Sequence, residues 1–175
     1  MDRGLGRMLI RDATEADVPG ILEIYNEVIA NTTAVYAEEP VTLDDRLAWM
    51  RGRHARGFPV IVAMDGGDVA GFASFGEFRS SPCYRNTVEH TVHVRADRRK
   101  LGIGRALLMA LIPRAVAMGK HVIIGGIDSS NHGSMELHRR LGFVEVARFR
   151  EVGRKFDRWL DLVFMQRILD GGDRP

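Results

Sequence analysis

The chain has 175 residues, 45% of them hydrophobic and 27% charged, with a formal net charge of +2, a balance that suits one soluble domain with a single core. So small a charge gives no reason to expect nucleic acid, and no apolar run reaches the roughly 18 residues needed to span a bilayer. The single cysteine, Cys83, excludes an internal disulfide framework; with no apolar signal segment at the N-terminus, it points to a reducing, cytoplasmic setting.

Residues 1–8 and 170–175 read as flexible ends around one domain over 9–169. Residues 9–11 form a short strand. Thr14-x-x-Asp17 then reads as a capping signal ahead of an amphipathic helix to about Ile29. A loop over 31–41 leads to a second helix that starts at Thr42-x-x-Asp45 and runs to about Arg56. Strands over 60–64 and 69–78 are joined by Asp65-Gly66-Gly67-Asp68, a strong hairpin signal. Another strand covers 87–95. A third helix extends from about Ile103 to Met118, with a bend expected at Pro113, where proline costs about 3 kcal/mol. Residues 122–127 are continuously apolar, as in a strand buried on both faces. A short helix capped at Gly142 follows, and residues 143–150 and 159–167 form a last hairpin around Gly153. The pattern is an α/β (α+β) fold, a mixed, mostly antiparallel sheet of about seven strands with helices on both faces.

The most informative stretch is Arg98-Arg99-Lys100-Leu101-Gly102-Ile103-Gly104-Arg105, placed where a strand hands over to a helix. Glycines allow a positive φ and a close approach to the main chain, and the helix start offers unpartnered amides to an anion. A phosphate or diphosphate is the natural occupant. The dinucleotide fingerprint is excluded because its third glycine position is Leu107, and the nucleotide-hydrolase loop because Gly104 is followed by Arg105-Ala106. Basic residues here without interleaved aromatics also argue against a nucleic-acid patch.

On the preceding strand the side chains of Thr87, Glu89, Thr91 and His93 share one face, and Val88, His90, Val92 and Val94 the other. By itself a polar row with one carboxylate is equally a half-solvated strand face. Further on, Asn131 stands at a helix start, a good N-cap, while Ser134 and His138 share a helical face.

Arg99-x-x-Gly102-x-Gly104 resembles the pyrophosphate loop of the GNAT superfamily of acyl-CoA-dependent N-acyltransferases, and Leu137-His138-x-x-Leu141-Gly142-Phe143 resembles that superfamily's next motif. Gly76-Glu77-Phe78-Arg79, Tyr84-Arg85, Glu89-His90-Thr91-Val92 and the closing Lys155-Phe156-Asp157-Arg158-Trp159-Leu160-Asp161 are similar to the phosphinothricin and methionine sulfoximine N-acetyltransferase branch, from about Ile10 to Leu169. The resemblance implies a GNAT fold and direct acetyl transfer from acetyl-CoA, with no metal, to the α-amine of a small amino acid analogue. Arg99, Lys100, Leu101, Gly102, Ile103, Gly104 and Arg105 would hold the diphosphate, and backbone amides at Val92, His93 and Val94 the pantetheine and the oxyanion. Asn131, with Ser134, would also meet the pantetheine. Glu89 would be the general base, through a water that Thr91 could position; Arg79, Ser80, Ser81 and Arg85 would surround the acceptor. Many members carry tyrosine, as the acid that protonates the leaving thiolate, where this chain has His138. That histidine can be read as the acid or as a structural hydrogen-bonding residue. Cys83 has no nearby activating partner and reads as incidental. The resemblance also implies a homodimer, with residues 31–40 reaching towards the partner's site, and neither nucleic acid nor membrane as a partner. Two alternatives keep the cofactor: another amine as acceptor (a polyamine, an aminoglycoside or a protein N-terminus), or a non-catalytic acyl-CoA sensor.

Overall fold

Local signals place most elements. A computed structural model describes residues 8–169, so the flexible ends expected at 1–8 and 170–175 lie, Met8 apart, outside the described residues. β1 (Leu9–Asp12) leads through a 3-10 turn into α1 (Val18–Asn31). Asp17 knots that entry, accepting from the Thr14 amide at 2.8 Å and from the Arg11 guanidinium at 2.7 and 2.8 Å. The Arg11 hydrogen bonds pull its carboxyl down to about 2, against an opposing effect of burial. α2 (Leu43–Ala55) opens with a reciprocal capping box: Asp45 N donates to Thr42 Oγ1 and Thr42 N to Asp45 Oδ2, at 3.2 and 3.0 Å. β2 (Val60–Asp65) and β3 (Asp68–Glu77) turn through Gly66 and Gly67, at φ +60° and +96°.

β4 (Thr87–Val94), α3 (Ile103–Ala117), β5 (Val122–Asp128), α4 (His132–Arg140), β6 (Val144–Lys155) and β7 (Arg158–Ile168) complete the order. The seven strands form one sheet, β1-β2-β3-β4-β5-β7-β6, in which β4–β5 is the parallel pair. Alternation splits the core between its faces. On one, Val60, Val62 and Phe72 pack with Ile21, Ile24, Val28 and Met50 of α1 and α2. On the other, Ile61, Ala63, Ala73 and Phe75 pack with Leu107 and Leu111 of α3 and Met135 of α4. Among the described residues no helix is long and apolar enough to cross a membrane.

One expectation needs correction. The last hairpin does not turn at Gly153 but at Phe156-Asp157, with φ +50° and +56°. Gly153 lies inside β6 beside a register shift, and a Cβ there would meet the Tyr36 ring at 2.6 Å. Its glycine serves a close packing contact, not the turn. Pro113 sits within α3, which continues to Ala117. The carbonyl it leaves without a helical partner belongs to Met109.

Candidate active site

The site begins where β4 and β5 part. Their parallel pairing runs from Thr87↔Val122 to His90↔Gly125, whereas β3 stays with β4 as far as Gly71↔Val94. Arg95 N donates to Ala70 O at 2.9 Å; antiparallel alternation then turns the main-chain groups of Val94 and Val92 away from β3, to the side β5 has left. The His93 amide points the other way, so His93 lends its side chain to the site and not its backbone. Gly125 lies at the fork because a Cβ would stand 2.7 Å from His90 Nε2 and 3.1 Å from His138 Nε2. The two stacked imidazoles, with Phe143 edge-on to both, form the wedge.

A cleft of about 500 Å³ opens along this edge, lined by Val92, Val94, Lys100, Gly102, Gly104 and Arg105 among others. Lys100 and Gly102 have φ +64° and +84°, which fold the chain back so that α3 starts facing the cleft. The first intrahelical bond recorded is Ala106 N to Gly102 O, leaving the amides of Ile103, Gly104 and Arg105 without partners inside the helix. Arg99 also lines the cleft, pinned by Glu27 at 2.5 Å and donating from Nε to Val94 O at 3.2 Å. Arg98 is held by Asp65 and Asp97. Leu101 is 51% exposed and outside the lining. Asn131 caps α4 by accepting from Ser134 N at 3.1 Å, and both residues border this cleft and the next.

The adjoining cleft, about 280 Å³, contains Glu89, Thr91, His93, Gly126 and Asp128 and shares Val92 with the first. Glu89 is half-buried. Burial pushes its carboxyl up, and the positive charges of Arg79 and Arg53 oppose the shift. A Cβ on Gly126 would lie 3.2 Å from Glu89 Oε1, so glycine makes room for the carboxylate. His93 is buried against Tyr25 and Phe72, and desolvation, helped by Arg46 and Arg99, pushes it down to about 4, which keeps it neutral.

His138 Nδ1 lies 2.7 Å from the Ser134 carbonyl, which can only accept. Nδ1 therefore carries the proton, and Nε2 accepts from His90 Nε2 at 3.0 Å. Burial lowers both imidazoles, so both are neutral. His138, at 1% exposure, has its one ring proton committed to Ser134. The geometry matches the structural alternative for this residue and offers no free proton for a thiolate.

The loop after β3 is spread more widely. Arg79 is exposed, its guanidinium 5.0 Å from the Phe78 ring centre, and reaches Glu89 only through its charge. Arg85 folds back onto Pro82 O at 3.2 Å, and neither it nor Ser80 nor Ser81 lines the cleft of Glu89. Cys83 is exposed outside both clefts.

Three functional features escape sequence reasoning. Asp128, buried at 3% exposure, borders the Glu89 cleft and accepts from the hydroxyls of Thr33 and Ser130. Lys155, also buried, donates from Nζ to the carbonyls of Ile29, Thr32 and Val35 at 2.6, 2.7 and 2.9 Å. It ties the β6–β7 hairpin to the segment whose Ala34 and Val35 wall the cleft. Arg53 is the third. An arginine on an amphipathic helix carries no pattern to distinguish it from a surface residue; Lys155 stood in the closing segment without a role, and Asp128 directly after an apolar run was a readable hint.

A mixed sheet that forks beside freed strand amides and a cationic glycine turn, with a half-buried carboxylate just inside the fork, defines an acyl-CoA-dependent N-acyltransferase. Residues 21–143 match the acetyltransferase (GNAT) family, and the chain belongs to it. It is 52% identical over 162 residues, 92% of this chain and 94% of the other, to an L-methionine sulfoximine/L-methionine sulfone acetyltransferase of Pseudomonas aeruginosa. It is 37% identical to a phosphinothricin N-acetyltransferase of Alcaligenes faecalis, over 94% of this chain and 84% of that one. A Salmonella typhimurium protein solved with its cofactor acetyl-CoA superposes with TM-score 0.94 at 46% identity, covering 97% of this chain and 98% of that one. The protein is an N-acetyltransferase that uses acetyl-CoA. The cleft suits that cofactor: its unpartnered amides and cations are donors of the kind a diphosphate would need, and the main-chain groups of Val92 and Val94 are free for an amide-bearing arm.

Proposed function

We propose that the acceptor is the α-amine of a small amino acid analogue of the methionine sulfoximine, methionine sulfone or phosphinothricin type. The observation that carries this reading is Glu89, half-buried in the smaller cleft beside the fork. Relatives with those substrates in their names, aligned over nearly the whole chain, support it.

The amine arrives as an ammonium and must lose a proton before it can attack. Glu89 takes that proton, directly or through a water held by Thr91. Its raised pKa makes it a better base than an ordinary carboxylate, while the positive charges of Arg79 and Arg53 oppose the rise. The cofactor supplies the acetyl group as a thioester. The Val92 and Val94 amides, released from pairing, lie in the cleft wall where donors can meet negative charge developing at a carbonyl oxygen. The contiguous clefts hold both reactants at once, and Cys83 lies apart from them, so transfer is direct. His90 and His138 hold the fork open. Arg79 sits at the rim as a cation for the acceptor's acidic end; Ser80, Ser81 and Arg85 serve, at most, the outer approach.

The same reading includes a homodimer in the cytoplasm. Val144, Val146, Val152, Phe156 and Trp159 leave exposed apolar surface along the β6–β7 hairpin, the element that also grips the segment after α1. A second copy covers such a surface, and Trp159→Asp should halve the mass seen by light scattering.

One observation favours a different acceptor. Asp128 and Glu89 make the cleft acidic, as a cationic amine such as a polyamine would require. Thiol release from acetyl-CoA across amino acid analogues, polyamines, aminoglycosides and peptides separates the readings. Turnover confined to the amino acid analogues is expected, whereas turnover confined to polyamines would replace this proposal. Glu89→Gln should lower kcat by about 10²–10⁴ while leaving acetyl-CoA affinity intact; an unchanged rate would remove Glu89 as the base.

A further inference from the structure

Two half-buried arginines on α2 make no salt bridge among the described residues. Arg46 and Arg53 are seven residues apart and share a helical face, with Met50 between them buried against the sheet. Arg46 lies between two rings, its guanidinium carbon 4.2 Å from the centre of Tyr25 and 4.6 Å from that of Trp49. Its Nε is buried and without a hydrogen-bond partner among the described residues. Arg53 lies against β3: a Cβ on Gly76 would fall 1.1 Å from its Nη1, so the guanidinium occupies the space the missing side chain leaves. Gly76 is the cross-strand partner of Glu89. Burial destabilises both cations; at Arg53 the charges of Arg56 and Arg46 add to this, and those of Glu77 and Glu89 oppose it.

Half-buried guanidinium groups that no salt bridge neutralises are costly to the fold and strongly attractive to an anion, because the local dielectric is low. Tyr25 and Glu89, which Arg46 and Arg53 adjoin, both line the smaller cleft. Resting on the reading of that cleft as the acceptor site, we propose that Arg53, assisted by Arg46, is the seat of the acceptor's carboxylate. An α-amino acid carries its amine and carboxylate on one carbon, and neighbouring strands are about 4.8 Å apart. An amine presented to Glu89 therefore brings the carboxylate to the guanidinium beside Gly76. Arg79 at the rim is left for the outer, side-chain end of the acceptor. Gly76 is then a specificity position without touching the substrate, since any Cβ displaces Arg53.

The test compares methionine sulfone with its carboxamide, which keeps the amine and loses the negative charge. Wild type should prefer the acid. Arg53→Met and Gly76→Ala should each raise KM for the acid about 10- to 100-fold, the range of a lost charge-assisted hydrogen bond, with a smaller change in kcat. Neither should affect KM for the carboxamide or the Kd for acetyl-CoA, which also serves as the check on folding. Arg53→Lys keeps the charge without the fork and should fall between; it reads the same ratio if Arg53→Met does not fold. Equal losses on acid and carboxamide would overturn the inference alone. A wild type that acetylates no amino acid would overturn the acceptor reading and this inference with it.

Discussion

The two clefts that meet at the fork are built in different ways. The cofactor side is largely backbone: amides at the start of α3, a turn through Lys100 and Gly102 with positive φ, and strand groups of Val92 and Val94 freed by the parting of β5. Its determinants lie within short stretches of chain. The acceptor side is made of side chains from distant places, with Glu89 from β4, Asp128 from β5, Tyr25 from α1, Val35 from the following segment, and Lys155 holding that segment from the far hairpin. Recognition of a constant group tolerates a local, main-chain solution. Selection among amines needs charges and shapes that only tertiary packing brings together.

The largest effect that would sharpen this contrast lies at Lys155. Lys155→Met leaves three carbonyls without their donor and should cost about 2–4 kcal/mol of stability. Because the segment they belong to walls the acceptor cleft, KM for the acceptor should rise while acetyl-CoA affinity holds. A loss shared equally by both substrates, seen by calorimetry and steady-state kinetics, would break the division. Next is Gly102→Val. A β-branched residue at φ +84° is strained, by about 1–2 kcal/mol, and it misdirects the amides of α3. KM for acetyl-CoA should rise about tenfold with acceptor KM unchanged; the opposite pattern would mean that the turn does not hold the cofactor.

The smallest effect concerns pH. His90, His93 and His138 are all pushed below the usual histidine value by burial, His90 to about 3 and His93 to about 4. Folded, they refuse protons that the unfolded chain accepts near pH 6.5. Their contribution is intact above that value and is lost as the pH falls towards their folded values. Going from pH 7 to 6 should cost about 0.5–1 kcal/mol per such histidine, visible as a lower Tm, and His93→Phe should flatten the slope by one share. A Tm that rises on acidification would contradict the neutral assignment of the pair at the fork.

Capping signals at Thr14 and Thr42, the Gly66-Gly67 hairpin and the alternation of Thr87–Val94 were legible because each depends on neighbours in sequence. The Gly153 misreading shows the boundary: a glycine near two strands suggested a turn, but its cause was the Tyr36 ring, far away in the chain. His138 is similar. Its position on a helix face and its bond to the Ser134 carbonyl are local, whereas its other partner, His90, lies 48 residues earlier.

By itself, then, the sequence determined most elements, the cationic glycine turn and the polar row carrying Glu89, since these follow from backbone preferences and short-range periodicity. Only the tertiary structure decided that β4 and β5 part at His90, that Asp128 joins Glu89, and that Arg53 lies over Gly76. Those outcomes rest on steric fit and desolvation between segments that sequence separation keeps apart, and no local pattern records them.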